Sequence, residues 1–199
     1  MHQSEHHCST RQKIIDATLD IISAEGFYKV TIRKIAALAG VNVAAVNYHF
    51  GSKKNLIDES LNDITQQLRQ AFYPLKDESL RPEARLRMFM IDYANVVSRY
   101  PDLIKNFIMQ SITDYPFPGN YEAFIQEEGC QLIYNTLKII KPQYDDTTIG
   151  MIIVQLLACL DYPLLIANRQ SPTKAKFDFY HEETRNKFID MLVENIVKS

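Results

Sequence analysis

Between residues 10 and 54, polar residues that favour helix starts alternate with glycines that favour helix ends. The polar residues stand just before runs whose apolar side chains recur at helical spacing: Thr31, Asn42 and Ser52. The glycines follow such runs: Gly26, Gly40 and Gly51. Ser, Thr and Asn side chains accept hydrogen bonds from the N–H groups of a first helical turn, and glycine readily adopts the left-handed conformation that closes a last turn. This punctuation predicts short helices joined by tight turns.

The apolar periodicity of this region sets the length of each helix. It predicts helices over residues 10–25, 32–39 and 43–50, and a fourth from residue 53 to about 72. A tight turn at Gly40, where the chain needs a positive φ, joins the second and third helices into a helix-turn-helix unit. Val46 and Phe50 in the third helix are expected to pack in the core.

The rest of the chain is also predicted to be helical. We expect helices from Pro82 to about residue 99 and over residues 102–113, 121–140, 147–168 and 178–198, with Pro163 as a point where the fourth of these can kink. No segment shows convincing alternation of apolar and polar residues with a period of two, which strands require. The sequence therefore predicts an all-α fold of about nine helices.

Charge is distributed unevenly along the chain. The whole chain carries a net charge of −2, but residues 26–57 contain no Asp or Glu and five basic residues, so that this window is +5 and the remainder is −7. The five basic residues are Lys29, Arg33, Lys34, Lys53 and Lys54. A basic patch on an otherwise acidic protein is the footprint expected for a polyanion. Charge alone also permits an ordinary solvated face.

Cysteine usage and hydropathy limit the location of the protein. Three cysteines occur, with no C-x-x-C spacing, and no secretory signal precedes the first helix, which favours a reduced, cytoplasmic protein. The longest apolar stretch, residues 151–160, is too short for a membrane span.

Metal and enzyme chemistry find little support in the sequence. His2, His6, His7 and Cys8 lie in a polar N-terminal segment, which we interpret as a disordered tail over residues 1–9 rather than a metal site. The His181-Glu182-Glu183 segment lacks the second histidine, four residues after the first, that a helical zinc protease site requires. We therefore expect no cofactor, no metal and no catalytic residues.

Residues 10–61 resemble the DNA-binding region of the TetR family of transcriptional regulators. The first predicted helix ends in E-G-F, a T-x-R-x-I-A-x-x-A-G-V core follows from Thr31, and a Y-x-F-x-S-K-x-x-L segment closes the region from Tyr48 to Leu56. This long, ordered pattern covers roughly the first quarter of the chain. The remainder matches the family only in being helical and of suitable length.

The resemblance implies a division of the chain and a mode of action. Residues 10–55 would form a three-helix DNA-binding domain with a helix-turn-helix, and residues 56–199 a helical bundle for ligand binding and dimerisation. A homodimer would place its two recognition helices in successive major grooves of operator DNA. A small molecule bound by the C-terminal domain would release the DNA.

The resemblance also implies a role for individual residues. Phosphate contacts would come from Thr31 and Lys53, and backbone contacts from Tyr48 and His49. Arg33 and Asn47 would reach a base edge or a phosphate, while the small apolar residues would face the bases: Val43, Ala44 and Ala45. Asn42 caps the recognition helix first and contacts DNA second.

The sequence departs from the family pattern at two points. The recognition helix has few long polar side chains, because Val43, Ala44 and Ala45 offer only apolar contact to thymine methyl groups. More of the readout would then depend on Asn47, with Asn42, Arg33 and DNA shape. Lys54 stands where an acidic residue is common.

The C-terminal part offers a dimer surface and a ligand pocket. The last two predicted helices have broad apolar faces, which two subunits would combine into a four-helix bundle. Asn106 and Gln110 share one face of an apolar run. A pocket for a moderately apolar ligand is predicted from five residues: Phe89, Tyr93, Phe107, Gln110 and Tyr134.

Taken together, the sequence predicts a sequence-specific DNA-binding transcriptional regulator, a repressor that a moderately apolar ligand releases from its operator. Its partners would be double-stranded DNA, a small-molecule effector and a second copy of the chain, with no membrane. Two alternatives stay open. One is a helix-turn-helix module that docks another protein without binding DNA, and the other is an all-helical enzyme.

Overall fold

The computed structural model describes residues 9–111, 121–166 and 178–198, and all the regular structure in these ranges is helical. The ten α-helices are α1 (Thr10–Glu25), α2 (Ile32–Ala39), α3 (Val43–Phe50), α4 (Lys53–Gln70), α5 (Pro82–Arg99), α6 (Pro101–Ser111), α7 (Tyr121–Phe124), α8 (Cys130–Ile140), α9 (Asp146–Ile166) and α10 (Glu182–Lys198). A π-helical turn, Ile125–Gly129, joins α7 to α8 into one continuous helix. The predicted all-α fold is confirmed.

Helices α1–α3 form a compact unit, which we call the head, together with the start of α4. Their buried apolar side chains meet in one cluster: Ile14, Ala17, Ile21, Ile22, Ile35, Ala36, Val46, Phe50, Leu56 and Ile57. The predicted core positions Val46 and Phe50 are 0% and 4% exposed. The guanidinium of Arg11 lies over the Phe50 ring at 5.3 Å, which closes the cluster on its outer side.

Helix α5 is the centre of the C-terminal part, where it packs against α8, α9 and α10. Leu86, Phe89 and Met90 on α5 are completely buried. The Phe89 ring lies 4.6 Å from that of Phe72, which in turn lies 5.2 Å from that of Phe124. Burial of this aromatic cluster contributes apolar area that stabilises the bundle.

The observed helix ends follow the predicted ones except at α10. The periodicity predicts a helix from residue 178, but α10 begins at Glu182. The Asp178 carboxylate accepts a hydrogen bond from the Tyr180 N–H at 2.9 Å, which turns the chain before the helix starts. Helix α4 continues through the predicted domain boundary at residues 55 and 56. The ends predicted at residues 113 and 168, and tail residues 1–8, lie outside the described residues.

Candidate nucleic-acid interface

The position of α3 depends on how α2 ends. Gly40 adopts a left-handed conformation with φ 67° and ψ 34°. The N–H groups of Gly40 and Val41 then bond the carbonyls of Ala37 and Ala36, at 3.4 and 2.9 Å, and so close the last turn of α2. The side chain of Asn42 accepts from the Ala45 N–H at 2.7 Å and begins α3. Three residues thus redirect the chain from one helix to the next.

One face of α3 packs inward and leaves the other face to solvent. Val46 and Phe50, four residues apart, are buried in the head. Residues on the opposite side of a helix with this spacing must point outward. The exposed residues of this face are Asn42, Val43, Ala44, Asn47 and Tyr48. The outer face of α3 therefore offers small apolar groups, two amides and one phenol.

Tyr48 is the most exposed large apolar side chain in the part of the chain that the structure describes. It is 86% exposed, and its ring meets that of His49 edge to face at a centroid distance of 5.3 Å. Such an aromatic ring contributes little to the packing of the head. Its phenol hydroxyl can donate to a partner that approaches α3 from solvent.

Ion pairing leaves the basic residues beside α3 with different amounts of available charge. Lys34 pairs with Glu25 at the end of α1, so its charge is largely neutralised. No described carboxylate pairs with Lys29, Arg33, Lys53 or Lys54. Lys34 therefore contributes less to the basic patch than the sequence predicts. Its pairing partner lies nine residues away on another helix.

The start of α4 offers donors in addition to charge. Ser52 caps this helix, and its hydroxyl oxygen accepts from the Asn55 N–H at 3.1 Å. The N–H groups of a first helical turn have no partner within the helix, and the helix dipole adds positive potential there. Lys53 and Lys54 stand in that first turn. This end of α4 suits an anion such as a phosphate.

Thr31 at the start of α2 resembles Ser52 in its geometry. Its hydroxyl oxygen accepts from the Lys34 N–H at 3.2 Å, which caps α2. A hydroxyl that accepts one bond can still donate its own hydrogen. Thr31 is exposed, so that hydrogen is available to an anionic partner. Capping and phosphate binding are compatible at this residue.

The ten residues predicted to contact DNA all lie on α2, α3 and the helix starts beside them. Seven are exposed: Thr31, Arg33, Asn42, Val43, Ala44, Asn47 and Tyr48. Three are half-buried: Ala45, His49 and Lys53. Leu38, which the sequence analysis assigned to no role, is 56% exposed on α2. The sequence pattern could have indicated that Leu38 is exposed, because this residue falls outside the apolar stripe of α2.

The structure describes the side chains of three of the five residues predicted to line a ligand pocket. Phe89 and Tyr93 on α5 are buried, with ring centroids 6.0 Å apart. The hydroxyl of Tyr134 on α8 donates to Asp146 at the start of α9, at 2.7 Å. The side chains of Phe107 and Gln110 lie outside the described residues.

Asp161 is a polar residue of the C-terminal core to which the sequence analysis assigned no role. The Tyr93 hydroxyl donates to its carboxylate at 3.1 Å. Burial raises the pKa of Asp161 to about 6, and the bond from Tyr93 offsets part of that increase. The sequence pattern could have indicated Asp161, because it is an acidic residue within the apolar run of α9.

Two hollows lined by described residues bear on the ligand prediction. One, of about 650 Å³, is an open depression along the first turns of α10. The other, of about 240 Å³, lies where α1 and α4 meet the corner between α5 and α6. Neither is lined by a residue predicted to bind ligand.

The described ranges contain no candidate membrane-spanning helix and no candidate metal cluster. None of the helices there combines the length and apolar character needed to cross a membrane. No cluster of three or more His, Cys, Asp or Glu side chains that could hold a metal ion occurs within residues 9–111, 121–166 and 178–198. The tail residues considered for a metal site, His2, His6, His7 and Cys8, lie outside those ranges.

Residues 14–59 match the family model described as bacterial regulatory proteins, tetR family. This segment contains most of α1, all of α2 and α3 and the start of α4, and therefore the whole face described above. Curated relatives match over 61 residues. The HTH-type transcriptional regulator BetI of Klebsiella pneumoniae strain 342 is 43% identical over 61 residues, which are 31% of each chain. BetI of Escherichia coli strain HS is 41% identical over 61 residues, also 31% of each chain. The match thus spans about a third of the length of these relatives.

Solved structures extend the similarity to the whole fold. A TetR-like transcriptional regulator from a Rhodococcus species superposes with a TM-score of 0.66 at 16% identity, covering 94% of both chains. The ketosteroid transcriptional regulator KstR2 of Mycobacterium tuberculosis superposes with a TM-score of 0.71 at 15% identity, also covering 94% of both chains. At such identity the superposition establishes a shared architecture of a helix-turn-helix head and a helical C-terminal domain.

Proposed function

From the premise that this chain belongs to the tetR family of bacterial regulatory proteins, we propose that it is a transcriptional regulator that binds operator DNA through α3. Proteins of this family are DNA-binding transcriptional regulators, often repressors. The proposal for this chain is a repressor that acts in the cytoplasm and leaves its operator when a small molecule binds the C-terminal domain. We place it with regulators rather than with enzymes.

The observation that carries the proposal is the outer face of α3 with its surrounding cations. Tyr48, 86% exposed, stands on a face with Asn47 and Ala44, which are also exposed. Arg33 and Lys53 flank that face without a paired carboxylate among the described residues. Small apolar groups suit thymine methyls, an amide suits adenine, and lysines suit phosphates.

Dimerisation would follow from the exposed faces of α9 and α10. Met151 and Val154 on α9 are 60% and 68% exposed, and Met191 on α10 is 56% exposed. Exposed apolar side chains on two helices that both pack on α5 are typical of a surface that another chain covers. Packing against a second copy would form a four-helix bundle and place two heads on one duplex. Two linked heads gain affinity through effective concentration.

Release by an effector would be a coupling between two sites. The effector would bind better to a form of the dimer whose heads are spaced wrongly for successive major grooves. The aromatic residues of α5, Phe89 and Tyr93, support a moderately apolar ligand. Phe107, Gln110 and Tyr134 remain predicted members of the same pocket.

Selection of bound sequences from a random DNA pool at moderate salt tests the proposal directly. The expected result is a pseudo-palindrome whose half-sites are about one helical turn apart, roughly 10 base pairs. Absence of enrichment, also after unfolding and refolding to remove any ligand bound during purification, would contradict DNA binding. A partner protein bound with little salt dependence would then support the docking module.

A charge-matched pair of variants then tests the contact face. Lys53→Ala should weaken binding to all DNA sequences and flatten the slope of log affinity against log salt by about one unit, because one phosphate contact is lost. Lys187→Ala removes the same charge from α10, where Lys187 is exposed. This control should leave the slope unchanged. Equal slopes for both variants and the parent would show that Lys53 does not contact a phosphate.

A further inference from the structure

The C-terminal part contacts the head through a polar side chain of α6 that reaches the end of α1. The side-chain amide of Asn106, on α6, donates to the carbonyl oxygens of Ile22 and Ser23 at 2.9 and 3.1 Å. It also donates to the carbonyl of Asp102, one turn earlier on α6, at 2.9 Å. An amide has two N–H groups, so two donors serve three acceptors. The sequence analysis placed Asn106 on a pocket face, but its amide bonds the head instead.

The acceptors on α1 stand in its last turn, where the Ile22 carbonyl also accepts from the Gly26 N–H at 2.9 Å. The last four carbonyls of a helix have no N–H partner further along the helix. Ile22 and Ser23 stand in the last turn of α1, which ends at Glu25. Asn106 therefore supplies part of the C-terminal cap of α1 from a helix more than 80 residues away in sequence.

Gly26 makes this contact possible. It follows α1 with φ 83°, a conformation that side chains other than glycine rarely adopt. A Cβ at this position would lie 3.2 Å from the Asn106 side-chain oxygen, closer than an ordinary contact. The end of α1 and the amide of Asn106 thus fit each other closely.

Apolar packing beside this contact is incomplete. A cavity of about 240 Å³ separates α1 and α4 from the corner between α5 and α6. Its walls include Leu19, Ser23, Ile64, Tyr100 and Leu103. Dispersion contacts are lost wherever a void separates two surfaces, so packing alone defines the joint less well here. The hydrogen bonds of Asn106 therefore contribute more to fixing the orientation of α1 relative to α6.

A second polar contact lies on the α4 side of the same joint. Gln67 on α4 donates to the Tyr100 hydroxyl at 3.3 Å and accepts from Arg99 at 3.1 Å. Arg99 is exposed, and the bond to Tyr100 is long. The bonds of Asn106 are shorter and link backbone groups of the head. Asn106 is therefore the stronger determinant of where α1 sits relative to α6.

We propose that Asn106 is a positioning residue that holds the head in a fixed orientation on the C-terminal domain. The proposal rests on the proposed function, since orientation matters because two heads of a dimer must match two half-sites. Helix α1 packs on α2, α3 and α4, so a fixed end of α1 fixes the recognition face with it. Loss of the Asn106 bonds would loosen both heads and widen the range of half-site spacings that the dimer accepts.

The test compares operators in which one or two base pairs are inserted between the half-sites. Each inserted pair moves one half-site by about 3.4 Å and rotates it by about 35°. The parent should strongly prefer the original spacing, and Asn106→Ala should reduce that preference by about tenfold. The control, Asn135→Ala, removes an exposed amide that bonds only Gln131 on its own helix. A merely structural role for Asn106 would lower Tm and leave the spacing preference intact, which would overturn the proposal.

Two additions keep the result decisive. If Asn106→Ala does not fold, Asn106→Ser takes its place, because serine stays polar but is too short to reach α1. Amide hydrogen exchange in the last turn of α1, with the parent, Asn106→Ala and Asn135→Ala all free of DNA, tests the contact independently. Exchange there should accelerate about tenfold in the Asn106 variant alone. If exchange accelerates but the random DNA pool yields no selected sequence, the contact is supported and the proposed function is rejected. If exchange is unchanged, the contact itself is rejected.

Discussion

At the scale of single residues, the exposure of a side chain separates roles that residue type leaves ambiguous. Tyr48 and Tyr93 are both tyrosines on helices, yet they are 86% and 8% exposed. Tyr48 can bind a partner because the head does not need its ring. Tyr93 instead places its hydroxyl against Asp161 in the core. The same phenol is therefore open to a partner at one residue and serves internal polarity at the other.

Asp161 provides a prediction about pH and stability. Burial raises its folded pKa to about 6, from about 4 in an unfolded chain. The folded form then binds the proton more tightly, so stability falls as the pH rises from about 4 to 6 and stays lower above that range. Asp161→Asn removes the charge and keeps an oxygen that Tyr93 can bond. We expect the variant to be more stable than the parent by about 2 kcal/mol at pH 7.5.

Denaturant unfolding between pH 4 and pH 7.5 measures this effect. The gain of Asp161→Asn over the parent should nearly vanish near pH 4, where the parent carboxyl is protonated in the folded state and about half protonated in the unfolded state. Asp20→Asn, at an exposed position on α1, should change stability by less than about 0.5 kcal/mol at either pH. A gain for Asp161→Asn that is equal at both pH values would show that the charge is not its cause.

At the scale of helices, local capping accounts for where each element of the head begins. The side chains of Thr31, Asn42 and Ser52 each accept from the backbone N–H three residues later. These bonds were predictable because they lie within four residues of sequence. The start of α10 was not, since Asp178 can cap a helix or form a turn, and here it forms the turn.

Gly40 tests whether a local conformational preference determines where α2 ends. Its φ of 67° is unfavourable for most side chains, but no atom lies within 4 Å of a Cβ built there. The cost of Gly40→Ala is therefore conformational and should be about 1 kcal/mol of unfolding free energy. Gly40→Asn should cost less than half as much, because asparagine tolerates the left-handed region. Denaturant unfolding of both variants measures the difference, and equal costs would contradict a conformational origin.

At the scale of the whole molecule, the exposed apolar faces of α9 and α10 set the expected assembly. Val154→Glu places a charge where the proposed interface would bury it, while Val154 is 68% exposed in the single chain. We therefore expect the variant to fold as the parent does and to be monomeric. Loss of the second head should also weaken operator binding by at least tenfold.

Sedimentation equilibrium at micromolar concentration measures the mass of each species. Tyr73→Glu introduces the same charge at a 59% exposed aromatic position away from α9 and α10. This control should remain dimeric. A dimeric Val154→Glu protein would show that the interface lies on another surface. A monomeric parent would show that the proposed dimer does not form.

The amino-acid sequence by itself determined the helical class, the ends of the head helices and the inward positions Val46 and Phe50. Each of these depends on interactions between residues at most four apart, which a periodic pattern records directly. The tetR-family resemblance of residues 10–61 likewise rested on one continuous segment.

Only the tertiary structure decided where polar side chains in the apolar helices point. Asn106 bonds Ile22 across 84 residues of sequence, and Tyr93 bonds Asp161 across 68. Lys34 loses its free charge to Glu25 on a neighbouring helix. Such pairings depend on which helix faces meet after packing, and no local period encodes them. The exposed face of α3 was therefore predictable from sequence, whereas the joint between α1 and α6 became visible only in the folded chain.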